Sequence, residues 1–162
     1  MITTIHAAKD IPYNKFNTWA PWRGLMPQVF RIMREDPDGL PNVAPTANGL
    51  GVRFGVDVEV DQQGNILVNG KGMSVNPDWR SAPLFRIPER LRHQKQGARG
   101  PNTNACFRYG SGPFARGSFA DGLKLEPDSP THGVIAPAAT VPLPEFEAAL
   151  AATRSVWEKD EA

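Results

Sequence analysis

Residues 131–157 read THGVIAPAATVPLPEFEAALAATRSVW, and the apolar pattern changes period within them. Gly133 to Ala136 is a short apolar run closed by Pro137, as expected of a strand. Pro144 suits a first helical turn, and Phe146, Leu150, Thr153 and Trp157 then recur at three- to four-residue steps. Strand side chains repeat every two residues and helical ones every 3.6, so the stretch predicts a strand followed by a closing amphipathic helix. Glu145 and Glu147 near the start and Arg154 in the later turns complement the helix dipole.

The chain before this stretch reads as short strands between turns. In GVDVEVD (55–61), Val56, Val58 and Val60 alternate with Asp57, Glu59 and Asp61; QQGN and ILVN follow, which predicts a β-hairpin with one wet face. MPQVFRIM (26–33) predicts a strand with proline at its start and with Val29, Arg31 and Met33 on one face. Further strands are expected at Met73–Val75, Leu84–Ile87, Ala105–Tyr109 and Leu123–Leu125. Residues 36–51 are dense in turn formers and predict a long loop. Residues 1–23 carry Phe16, Trp19 and Trp22, enough apolar surface to pin an irregular arm to the core.

A length of 162 residues fits one domain with a real core. Its 16 prolines and 15 glycines keep elements short and loops numerous. Together these predict an α+β domain of short strands closed by one helix. With 18 Lys+Arg against 17 Asp+Glu, no global field draws the chain to nucleic acid or acidic membrane. Cys106 is the only cysteine, so an internal disulfide is excluded and a reducing compartment, the cytoplasm, is the expected site of action. The N-terminus lacks the apolar core of an ordinary signal peptide, which leaves specialised secretion without a cleaved leader; no apolar run reaches the roughly 20 residues of a membrane span.

Several familiar sites fail on spacing. GNILVNGK (64–71) has five residues between its glycines instead of four, and Gly72 stands where a phosphate-binding loop needs Ser or Thr. His6, His93 and His132 are far apart, and the lone cysteine has no pair for a zinc site. Cys106, within the apolar run ACFRY, reads as a small buried hydrophobe sooner than a nucleophile. Between residues 80 and 99, Arg80, Arg86, Arg90, Arg92, Lys95 and Arg99 face only Glu89, with Phe85 interleaved. Three readings compete for this stretch: a solvated basic edge, a nucleic-acid patch, and arginines that grip the phosphates of a nucleotide cofactor.

Three segments in order, VFRIM (29–33), GKGMSV (70–75) and THGVIAPA (131–138), followed by a helix ending in SVWEKDE, resemble the small ADP-ribosyltransferase-like toxins that bacteria deliver through type VI secretion. The resemblance implies a split, twisted β-core with an NAD cleft between two sheets, an intracellular toxin that transfers ADP-ribose, and a cognate immunity protein as partner. It implies catalytic roles for Arg31, Ser74 and His132. Arg31 would hold a ribose or phosphate of NAD by charge-assisted hydrogen bonds, and Ser74, approached by Gly70 and Gly72, would position the nicotinamide ribose. Met73 and Trp79 would wall the cofactor, with Arg86 on its phosphates; packing in the core is the competing role for both apolar residues.

His132 would stand where the family places a glutamate that stabilises the positive charge developing on the ribose. No glutamate occurs between Asp128 and Pro144, and a neutral histidine serves that role less well than a carboxylate. Glu126 and Glu145 are the nearest substitutes, each also readable as a solvated charge. The rivals to the enzyme are a nucleic-acid-directed toxin using residues 80–99 and a catalytically silent interaction domain on the same scaffold.

Overall fold

Val29–Arg34 is apolar at nearly every position, and the strand it forms, β1, is covered on both sides, so the pattern is continuous where a half-wet strand would alternate. A computed structural model describes residues 26–162; the aromatic arm expected over 1–23, with Phe16, Trp19 and Trp22, lies outside the described residues. Val29 and Met33 enter a large cluster with Phe107, Tyr109 and Trp157. Phe30 and Ile32 enter a second one with Trp79, Ile87, Leu91 and Cys106.

The described chain is a mixed α/β structure of two antiparallel sheets and one C-terminal α-helix. In the first sheet β1 pairs with β3 (Asn104–Tyr109), which pairs with β7 (Glu158–Lys159). The second runs β2 (Met73–Val75), β6 (His132–Pro137), β5 (Leu123–Ser129), β4 (Gly117–Ala120). Its apolar face, with Met73, Val75, Leu125 and Ile135, joins the large cluster; Ser74, Glu126 and Val134 occupy the opposite face. The sheets adjoin where Phe30 and Asn76 exchange backbone hydrogen bonds of 2.7 and 2.9 Å.

The helix, α1, spans Leu143–Ala151, with Pro142 at its cap, and buries Phe146 and Leu150 in the large cluster. The expected stripe is buried throughout, but its last two members lie beyond the helix. The Thr153 hydroxyl donates to the Leu150 carbonyl at 2.7 Å and accepts from Trp157 Nε1 at 3.0 Å. That side-chain bond competes with helix continuation, and a 3-10 turn at Arg154–Val156 carries Trp157 back into the core. SVWEKDE therefore does not end a helix: Glu158 and Lys159 pair with Arg108 and Phe107 as β7.

An expected hairpin and one further expected strand are replaced by turns. Asp57 accepts from the backbone N–H and Nε of Arg53, closing a turn that leaves Val56 59% exposed, and the hairpin shrinks to a bridge between Val60 and Ile66 around the turn at Asp61. Leu84–Ile87 lies between Pro83 and Pro88, and its amides at Arg86 and Ile87 turn back to the Pro83 carbonyl. Short β4 and β7 were not anticipated, because neither carries an apolar run.

Candidate functional site

Arg31 alternates onto the same face as Val29 and Met33, so a guanidinium enters a packed interior; the residue is 5% exposed. Among the described residues it is held by carbonyl groups with no carboxylate in contact. Nε and Nη2 donate to Gly49 at 3.1 and 3.0 Å, Nη2 also to Ala47 at 3.1 Å, and Nη1 to the Ser74 carbonyl at 2.7 Å. Burial, with the nearby charge of Arg86, lowers its pKa to about 9, against which Asp57 acts, so the group is still charged at neutral pH. Arg31 thus ties β1 to the 47–49 loop and to β2.

The Arg31 contact fixes the Ser74 backbone, and among the described residues the Ser74 hydroxyl has no hydrogen-bond partner. Gly72 is required by packing: a Cβ there would lie 2.2 Å from the Ile135 carbonyl oxygen, so only glycine lets the lead into β2 press this closely on β6. Gly70, with φ of 81°, makes the left-handed turn before it. Met73 points to the other face and is 1% exposed in the large cluster, while Trp79 is 1% exposed in the second cluster. Packing accounts for both, and neither forms a wall beside Ser74.

Ser74 stands opposite Val134, and Val134 opposite Glu126, so the three form one row across β2, β6 and β5. Strand spacing puts Ser74 and Glu126 about 10 Å apart along that row. The Glu126 carboxylate is held by Arg116 at 3.2 Å and Lys124 at 2.9 Å. His132, two residues before Val134, shares this face, and its Nδ1 lies 2.8 Å from Asp128 Oδ1. Among the described residues its Nε2 makes no hydrogen bond. Glu145 is exposed in the first turn of α1, whose buried residues belong to the cluster on the other face.

Three of the six basic side chains of residues 80–99 are engaged. Arg80 meets Asp78, Gln94 and the Ala162 carbonyl; Arg90 meets Glu161; Arg92 meets Glu89. An open depression of about 450 Å³ is lined by Arg80, Lys95 and Thr131, the neighbour of His132. Cys106 is wholly buried, and burial pushes its thiol up to about 12, which removes it as a nucleophile. Among the described residues no group of His, Cys, Asp and Glu is placed to hold a metal, and no helix is long and apolar enough to cross a membrane.

Arg31 and Ser74 are therefore in contact, and Ser74, Glu126 and His132 share a sheet face, whereas Met73 and Trp79 are buried in the two clusters and Arg86 lies within electrostatic range of Arg31. Asp128 as the partner of His132 was not anticipated, although its four-residue separation across a turn was a signal in the chain. The Arg53–Asp57 pair was missed too, because Asp57 sat inside the hairpin expected from residue 55 and Arg53 just before it. No family model, curated protein or solved structure matches the chain.

Proposed function

We propose that the chain binds NAD on the Ser74 face of the four-stranded sheet and transfers ADP-ribose to an acceptor, as a small toxin acting in the cytoplasm. The observation that carries this reading is the 2.7 Å contact between Arg31 Nη1 and the Ser74 carbonyl. It joins two of the three segments on which the family resemblance rests, at the line where the two antiparallel sheets adjoin. A split β-core of the ADP-ribosyltransferase type has its cofactor cleft at such a junction.

In the proposed reaction the bond between nicotinamide and ribose C1′ breaks, its electron pair leaves with nicotinamide as a neutral amide, and an acceptor nucleophile attacks C1′ and releases its proton to solvent. The Ser74 hydroxyl and His132 Nε2 bind ribose hydroxyls, with Asp128 orienting the imidazole. Glu126 supplies the carboxylate missing from β6, facing the positive charge that develops on the ribose. Arg31 acts through its hold on β2, as a positioning residue. The extent to which Arg80, Arg90 and Arg92 are already paired argues against the nucleic-acid alternative. A toxin of this kind requires a neutralising partner in its producer, and an immunity protein is proposed for that role.

Expression in a bacterium, with NAD and modification of protein and nucleic acid followed together, tests the reading. Ser74→Ala and Glu126→Gln should each abolish toxicity and NAD consumption while retaining the parent's circular dichroism. Toxicity equal to the parent's in both folded variants would sink the assignment.

A further inference from the structure

Residues 80–84 and 95–99 are tied together: the Arg99 N–H donates to the Leu84 carbonyl at 3.0 Å, and the Leu84 side chain lies over Gly97 and against the second cluster. The open depression of about 450 Å³ that both segments line is therefore set in place by the fold before anything binds. Its apolar lining is residues 82–84, Ala-Pro-Leu, and its polar lining is Arg80, Ser81, Lys95, Gln96 and Thr131. Two of these side chains are cationic, and no lining residue is acidic.

Arg80 is spent in large part on Asp78, Gln94 and the Ala162 carbonyl, and its guanidinium lies 4.4 Å from the Trp79 ring centroid. Lys95 is not engaged in this way. Among the described residues its ammonium, like the Ser81 hydroxyl and the Gln96 amide, makes no hydrogen bond or ion pair. An ammonium with three donors beside a hydroxyl and an amide suits an anion with several acceptor lone pairs, and the apolar lining suits a hydrocarbon side chain. An acidic stretch of polypeptide supplies both. Nucleic acid fits less well, because strand binding draws on several phosphate contacts and on aromatic platforms, whereas one unengaged cation and no aromatic ring line the depression.

The depression also adjoins the proposed site. Thr131 is one peptide bond from His132, which shares the Ser74 face, and the Thr131 carbonyl accepts from Asn76 Nδ2 at 2.7 Å, just beyond β2. Extended chain advances about 3.3–3.6 Å per residue, so a polypeptide seated against Lys95 and Thr131 carries its next few residues past His132. We propose that this depression docks an acidic segment of the acceptor protein, with a carboxylate on Lys95 and an aliphatic side chain on residues 82–84. The occupant's role as acceptor rests on the ADP-ribosyl transfer reading; its capture by the depression does not.

The probes that test this are short labelled peptides of alternating Glu and Ala or Lys and Ala, and an oligothymidylate of the same charge as the acidic peptide. Fluorescence anisotropy with the full chain at low ionic strength should show saturable binding of the Glu-Ala peptide and none of the Lys-Ala peptide. Lys95→Gln and Gln96→Glu each make the depression one charge more negative and should weaken binding about fivefold, the upper range for an exposed ion pair. Arg99→Gln makes the same change of net charge outside the lining and should shift affinity less than about twofold.

No saturable binding of the Glu-Ala peptide at millimolar concentration, an equal loss with Arg99→Gln, parent affinity in both Lys95→Gln and Gln96→Glu, or tighter Lys95-dependent binding of the oligothymidylate would overturn the inference. If Lys95-dependent peptide binding persists while NAD is never consumed and Ser74→Ala stays toxic, the transfer reading falls and the docking site stands. If Ser74→Ala abolishes NAD consumption and the Glu-Ala peptide does not bind, the docking site falls and the transfer reading stands.

Discussion

Replacing Arg31 with methionine should unfold the junction between the two sheets more readily than any loss of surface charge would. The side chain makes four hydrogen bonds to three carbonyls, those of Ala47, Gly49 and Ser74. Methionine preserves most of the aliphatic stem, so the change isolates the guanidinium. The Gly49 carbonyl is buried and loses its partner outright, at about 1–3 kcal/mol. The Ala47 and Ser74 carbonyls are part-buried and rehydrate in part, adding about 1 kcal/mol each. Release of a desolvated cation offsets about 1–2 kcal/mol of this. The net destabilisation is about 1–4 kcal/mol, centred near 2.5. With a urea dependence of about 2 kcal/mol per molar, the unfolding midpoint should fall by roughly 1 M. Tryptophan fluorescence reports the transition. A midpoint within about 0.3 M of the parent's, or above it, would show that the carbonyl cradle does not stabilise the junction. Ser74→Ala, which removes a hydroxyl with no partner among the described residues, should shift the midpoint little and so separates chemistry from folding.

Gly72→Ala must displace the Ile135 main chain, since the added carbon would lie 2.2 Å from its oxygen; a loss of about 2 kcal/mol or more is expected, and an unchanged Tm would remove the close-approach explanation. Cys106 should resist thiol reagents in the native state and react on unfolding, because it is wholly buried; labelling at native rates typical of a free thiol would contradict this. The same burial raises the folded pKa from 9.0 to about 12, so the group's stabilising effect is complete below pH 9 and is lost as pH rises toward 12. The parent should therefore lose more stability than Cys106→Ala between pH 9 and pH 11 in urea titrations, and parallel curves would refute the sign.

How much was legible depended on whether a residue's neighbours in sequence were also its neighbours in space. The β2 and β6 segments could be read because Met73–Val75 and Gly133–Ala136 are apolar runs between turn formers. The 56–60 alternation misled because Asp57 spends its carboxylate on Arg53, a local contact that overrides strand preference. Arg31 was visible as a polar residue in an apolar strand, but its role depends on carbonyls 16, 18 and 43 residues away. Glu126 was recognised as a substitute carboxylate, yet its place in a row with Ser74 follows from the pairing of β5 with β6 and β6 with β2.

By itself the sequence determined a short-stranded chain with an amphipathic helix starting near Pro144, because side-chain period and proline placement are local properties. Tertiary structure alone decided that Trp157 packs from beyond the helix, that Met73 and Trp79 belong to separate cores, and that the Nε of Arg86 is buried without an acceptor. Burial and hydrogen-bond satisfaction depend on which distant segments arrive at the same place, and no window of neighbouring residues contains that information.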